Sequence, residues 1–294
     1  VDSHKLDVYL ASEARVRSLY AEGCAGHGAA VCEGVMGFYD GLGGTRTDAS
    51  AWHLADTLNL PVLLVLRPKG ASLTLAAGVR GLAEFVPNSH ITGIFLNECS
   101  PMLYETLAPM LEEKTGLPVL GYLPPMEEAK FESRHLGLYT AGEIIDLRAR
   151  INAVAAILLQ TMDWTRFETL FAGTERAAAK RPYPQAMARI AVARDEAFCF
   201  TYAETLEAFY RTGAEPVFFS PLHDRNLPAG VGGLYLPGGY PELHAEALSR
   251  NEAMRTVLRT AIQNGLPTVA ECGGFLYLGQ SLQDQKGQTF PMVG

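Results

Sequence analysis

The sequence predicts an α/β fold in two parallel-sheet domains. Three observations carry this. Short runs such as Pro61-Val-Leu-Leu-Val-Leu66 and Ile91-Thr-Gly-Ile-Phe-Leu96 are apolar throughout rather than alternating, as strands buried on both faces are. They alternate with segments of helical spacing, which calls for right-handed βαβ units. The apolar pattern is lost over 173–188, a stretch containing Pro182 and Pro184, and a second alternation begins after it.

In chain order, residues 5–22 have helical spacing of Leu6, Leu10, Val16 and Leu19. A glycine-rich turn leads to a predicted strand, Ala29-Ala-Val-Cys32. It runs into Glu33-Gly-Val-Met-Gly-Phe-Tyr-Asp-Gly41, a carboxylate at a strand end followed by a glycine loop. Open α/β sheets bind ligands at such places. Helices are predicted over 49–59, 72–86, 101–115, 141–161 and 163–172. Further strands are predicted over 61–66, 91–96 and 117–124. The expected boundaries are a first domain over 1–172, a linker over 173–188 and a second domain over 189–294. In the second, strands are read at 189–193, 215–219, 233–236 and 268–270, and helices at 201–212, 241–249 and 251–264.

The chain has 294 residues, enough for two cores. Its net charge of −8 argues against nucleic acid or an anionic membrane as the main partner, since both call for a basic patch. It shows no apolar run of spanning length and no basic segment leading into an apolar one, so no membrane association is expected. Its five cysteines are scattered and include no C-x-x-C pair, which suits reduced thiols in a cytoplasm.

Two glycine turns at strand ends stand out. Pro237-Gly-Gly239 follows Gly233-Leu-Tyr-Leu236, and Cys272-Gly-Gly274 follows Thr268-Val-Ala270. The second pattern, strand then cysteine then glycines then apolar helix, suits either a core thiol beside a turn or an exposed nucleophile. In a parallel sheet both turns can open onto one edge. One would then supply backbone N–H groups to an oxyanion, the other the nucleophile and a further N–H.

Pro237-Gly-Gly-Tyr-Pro-Glu242 together with Ala270-Glu-Cys-Gly-Gly-Phe-Leu-Tyr-Leu278 resembles the class I glutamine amidotransferase domain, in particular its cobyrinate (hydrogenobyrinate) a,c-diamide synthase branch. Ile190 to Phe198 and Phe218-Phe-Ser-Pro-Leu222 also resemble that branch. The resemblance implies that Cys272 is the glutaminase nucleophile and that Gly238, Gly239 and Gly273 form its oxyanion turn. Ala270 departs from the wider class, which often has glycine there, but agrees with the branch.

The resemblance extends over most of 1–172. Glu33 to Gly41 resembles the conserved loop of a dethiobiotin-synthetase-like, P-loop-type ATP domain. This implies that Glu33 binds Mg²⁺ at the phosphates of ATP, consistent with the preference of Mg²⁺ for one or two carboxylates plus phosphate oxygens. Asn97 matches the position that recognises adenine, with Leu123 and Pro124 in the loop beside the base. Arg134 to Leu138 resembles the branch as well. Asp2 matches an aspartate linked to orienting the substrate, and Asp40 borders the same edge with the loop Thr45 to Asp48.

The implied activity is amidation of the a and c carboxylates of a cobyrinate-type corrin, using ATP and L-glutamine, in cobalamin biosynthesis, by a cytoplasmic ligase that could be a homodimer. Two family features do not occur in the sequence. There is no Gly-Lys-Ser/Thr, and all seven histidines precede Cys272, whereas the family's catalytic histidine follows the cysteine. The expectation is a chain cut short at both ends and poor at hydrolysing glutamine, unless His223 or His244 substitutes as base. Rival readings are a nickel-sirohydrochlorin a,c-diamide synthase, an inactive tetrapyrrole-binding module, and a partition-type ATPase, which the second domain disfavours.

Overall fold

The computed structural model describes residues 3–131, 141, 144–173 and 182–294, together with the backbone pairing of 133–134 and 137–138. Two compact units divide the chain: Asp7–Ala177, and Ala178–Gly294 joined by Val1–Leu6. The first six residues, which the sequence reading puts in the first domain, therefore group with the second unit.

The unit formed by Asp7–Ala177 holds a parallel sheet of three strands, β1 (Val62–Leu66), β2 (Ile91–Asn97) and β3 (Val119–Leu123), in that order. Its helices are α1 (Glu13–Gly23), α2 (Ala51–Leu58), α3 (Leu73–Glu84), α4 (Pro101–Thr115), α5 (Leu147–Thr161) and α6 (Trp164–Phe171). Strands β4 (Ser133–Arg134) and β5 (Gly137–Leu138) make a short antiparallel pair.

Helix α4 shows how local signals set an element. The Ser100 side chain accepts from the Leu103 N–H, Pro101 occupies the first turn, and Gly116 ends the helix in the left-handed conformation. Its Leu107 and Leu111 are buried against Ile94 and Leu96 of β2, each leucine contributing roughly 1.5–3 kcal/mol by its removal from water.

Three predicted elements of this unit are corrected. No strand forms over Ala29–Cys32, where Val31 is 94% exposed. Local apolarity cannot supply a partner strand, and among the described residues this segment pairs with none. The first helix starts at Glu13 rather than near Lys5. Asp7 Oδ1 accepts from the N–H groups of Tyr9 and Leu10 in a turn, and Ser12 then caps α1 through the Arg15 N–H. Helix α5 starts at Leu147 rather than at residue 141.

The second unit contains a parallel sheet in the order β7-β6-β8-β9: β6 (Ala188–Ala193), β7 (Ala214–Phe219), β8 (Gly233–Leu236) and β9 (Thr268–Ala270). Helices α7 (Ala203–Arg211), α8 (Ala245–Arg250), α9 (Glu252–Gln263) and α10 (Gly273–Tyr277) accompany it. The segment read as one helix over 241–249 is a 3₁₀ turn, Pro241–His244, followed by α8. Helix α9 is capped by the Asn251 side chain and buries Met254 and Leu258 in the core with Leu234, Leu236 and Leu248. An antiparallel hairpin of β10 (Ser281–Gln283) and β11 (Thr289–Pro291), which the sequence reading does not include, follows α10. No helix among the described residues is long and apolar enough to cross a membrane.

Candidate active site

Strands β8 and β9 lie side by side, and their last residues, Leu236 and Ala270, are register partners. The two glycine turns therefore leave the sheet from adjacent points on one edge. The Glu271 N–H continues the ladder to Leu236 O at 3.0 Å, and the Gly274 N–H donates to Pro237 O at 3.0 Å and to Glu271 O at 2.8 Å. These bonds close a tight turn around Cys272. Its φ of 48° and ψ of −114° lie where side-chain-bearing residues are strained, and its thiol side chain is exposed. A strained, solvent-facing residue between a strand and a helix is how a nucleophile elbow is built.

The turns approach too closely for side chains. A Cβ on Gly238 would lie 3.3 Å from Cys272 Cβ, and one on Gly273 would lie 3.0 Å from Gly239 N. A Cβ on Gly274 would stand 2.2 Å from Leu236 O, and one on Gly239 2.0 Å from Ala197 O. No backbone carbonyl among the described residues takes the N–H of Gly239 or Gly273. Gly238 O accepts from the Phe200 N–H at 3.0 Å, which pins the first turn to the loop after β6. Behind the cysteine, Tyr277 of α10 is fully buried against Phe198, with ring centroids 5.3 Å apart, so the short helix is anchored from below.

No hydrogen bond among the described residues joins a histidine to Cys272. His223 Nε2 lies 3.0 Å from Glu196 Oε2 in an exposed pair, and His244 ends the 3₁₀ turn. The Glu196 carboxyl is held below the ordinary carboxylate range by its own backbone N–H and then by His223.

In the unit formed by Asp7–Ala177, Asn97 and Leu123 are register partners at the ends of β2 and β3, with Pro124 next in the chain. All three are half-buried. Glu98 follows in a left-handed conformation and pairs with Arg67, just beyond β1. Glu33 lies in the irregular exposed segment before Gly34. A Cβ on Gly37 would meet the Asp40 carboxylate, Oδ2 at 2.2 Å, so Asp40 is folded back over its own loop. The Gly41 and Leu42 N–H groups close the following loop onto Arg46 O and Asp48 O, each at 2.9 Å. Among the described residues no hydrogen bond or ion pair ties Glu33 or Asp40 to the edge at Asn97. Asp2, His135 and Leu136 lie outside the described residues.

Comparison with known proteins agrees with this arrangement. Residues 189–294 match the model of the CobB/CobQ-like glutamine amidotransferase domain. Cobyrinate a,c-diamide synthases align over nearly the whole chain. That of Synechococcus sp. is 38% identical, covering 100% of this chain and 66% of the relative. That of Clostridium tetani is 40% identical over 96% of this chain and 63% of the relative. That of Salmonella typhimurium is 38% identical over 100% of this chain and 65% of the relative. The chain belongs to the cobyrinate a,c-diamide synthase family.

The chain spans just under two thirds of the length of these synthases. Beyond the residues its family resemblance singles out, the structure adds two that sequence reasoning did not. Asp195, just past the end of β6, organises this edge of the second unit. Its Oδ1 accepts from the N–H groups of Ala197 (2.9 Å) and Phe198 (3.2 Å), and its Oδ2 from Ser220 Oγ (2.8 Å) and the Leu222 N–H (2.9 Å). A strand-end aspartate was the available signal. The other is Tyr235, buried in β8, whose hydroxyl donates to Glu271 Oε2 at 2.8 Å. Nothing in the sequence pairs residues 36 positions apart.

Proposed function

We propose that this chain is the core of an ATP- and glutamine-dependent ligase that amidates the a and c carboxylates of cobyrinate or hydrogenobyrinate in cobalamin biosynthesis. The observation that carries the reading is the convergence of the two glycine turns on Cys272, whose side chain starts 3.3 Å from the Cβ position of Gly238.

Cys272 Sγ attacks the side-chain amide of glutamine. The tetrahedral intermediate carries negative charge on oxygen, and the backbone of the turns at Gly238, Gly239 and Gly273 stabilises it, with the N–H groups of Gly239 and Gly273 as donors. Losing one such donor typically costs about 10²–10³ in rate. Ammonia leaves as the thioester forms, and water then releases glutamate. Ammonia formed inside protein stays unprotonated and nucleophilic. The acceptor carboxylate is a poor electrophile until phosphorylation gives it a leaving group, and ATP supplies that phosphoryl group.

On this reading residues 1–172 hold the nucleotide and corrin, 173–188 link, and 189–294 generate ammonia. Asn97, Leu123 and Pro124 bind the adenine side of ATP at the adjoining ends of β2 and β3. Glu33 binds Mg²⁺. Its exposed carboxylate fits an ion that takes one or two carboxylates and fills its remaining positions with phosphate oxygens and water. Asp2 and Asp40 orient the corrin. A cytoplasmic homodimer belongs to the same proposal.

The test is amidation of cobyrinate by the full-length gene product with glutamine or with ammonium chloride as nitrogen source. Cys272→Ala abolishes the glutamine-dependent reaction and leaves the ammonia-dependent one. Persistence of the glutamine-dependent reaction overturns the role of Cys272. Amidation of nickel-sirohydrochlorin but not of cobyrinate transfers the substrate assignment to the related nickel enzyme.

A further inference from the structure

Glu271 fixes the turn that carries Cys272 through three hydrogen bonds, two of them to β8, and one of those two is made by side chains. Glu271 N–H bonds Leu236 O, Glu271 O accepts from the Gly274 N–H across the cysteine, and Glu271 Oε2 accepts from Tyr235 Oη at 2.8 Å. Tyr235 is 4% exposed, so its hydroxyl is held in a dry position beneath an exposed carboxylate. Its ring packs edge-on against Phe209 of α7, with ring centroids 5.8 Å apart. The hydroxyl's donor is engaged by Glu271 and the buried ring is held against Phe209, so the ring has little freedom to turn. A residue at φ 48° and ψ −114° persists only where its surroundings over-determine the backbone.

We infer that Tyr235 is a positioning residue for Cys272, acting through the side chain of Glu271. The inference rests on the glutaminase reading of the site. Burial first, and the neighbouring Glu271 carboxylate second, raise the Tyr235 hydroxyl well above its ordinary range, so it remains a donor at any working pH.

The experiment compares Tyr235→Phe, Glu271→Ala and Glu271→Gln in the full-length gene product. Glutaminase kcat and KM are measured, together with ammonia-dependent amidation and the rate at which iodoacetamide alkylates Cys272. Tyr235→Phe and Glu271→Ala are expected to lower kcat by about tenfold, with KM little changed, since a small misplacement of a reacting group is costly. Ammonia-dependent amidation is unchanged in both. Glu271→Gln restores most of kcat, because its amide oxygen still accepts from Tyr235. Full glutaminase activity in Tyr235→Phe, or a Glu271→Gln variant as impaired as Glu271→Ala, overturns the inference. If Tyr235→Phe unfolds, the exposed-side variant Glu271→Ala decides alone. If the unmutated protein hydrolyses no glutamine, the functional reading fails by itself. The alkylation rate then decides the positioning role: a change of about threefold or more in Tyr235→Phe supports it, beyond the scatter ordinary for neutral sites, and an unchanged rate overturns it.

Discussion

The side chain of Cys272 begins 3.3 Å from where a side chain on Gly238 would begin. These residues come from different turns, and they meet because Leu236 and Ala270 are paired in the sheet. The strain at Cys272 follows from that meeting. Its backbone must swing to a positive φ to present the thiol beside the first turn while Gly274 closes onto Leu236 and Pro237.

That strain predicts a gain in stability when the side chain is removed. Cys272→Gly should stabilise the protein by about 1 kcal/mol, the scale of one residue in a sparsely populated backbone region. Thermal unfolding of Cys272→Gly beside Cys272→Ala checks this. The glycine variant should unfold a few degrees higher, and the alanine variant, which keeps a Cβ at φ 48°, should not.

Gly274→Ala should do the reverse. Its Cβ would stand 2.2 Å from Leu236 O, and a backbone carbonyl committed to the β8–β9 ladder cannot step aside. Overpacking of this kind costs about 1–3 kcal/mol. A lower urea midpoint with loss of glutaminase activity is the expected outcome.

Asp195→Ala removes an acceptor from four donors, three backbone N–H groups and one serine hydroxyl, in the loops after β6 and β7. Leaving such donors unsatisfied costs about 1–3 kcal/mol. Chemical denaturation should show that loss. The slope of the transition should stay unchanged if the compactness of both states is preserved.

The exposed pair of Glu196 and His223 should matter little and in one pH direction. The folded-state pKa of Glu196 is lowered, so its contribution is present above the ordinary value of 4.5 and is lost as pH falls through the folded value. Both partners are well exposed, so Glu196→Gln should cost less than about 1 kcal/mol near neutral pH. Stability curves of the two proteins should converge as the solution is acidified.

The strand–helix alternation was legible in the sequence because the strands are apolar throughout and the helices carry capping residues such as Ser100, Asn251 and Gly116. The sharp strand–turn–helix at Cys272 was legible because two glycines after a strand-end cysteine mark a tight turn, but whether its thiol is buried or exposed was not. The segment Ala29–Cys32 misled for the same reason in reverse. Its residues favour a strand, but a strand exists only where another chain segment completes its hydrogen bonds, and Val31 is left almost fully exposed.

What only the tertiary structure decided is neighbourhood. The order β7-β6-β8-β9 puts Pro237 beside Glu271 and fixes the edge on which Cys272 opens. It also brings Tyr235 under Glu271 and Asp195 beneath Ser220 and Leu222. Local sequence sets the conformation of each turn through steric and hydrogen-bonding preferences that act over a few residues. Which turns face one another depends on the burial of whole strands and helices, a sum over the entire core that no single stretch encodes.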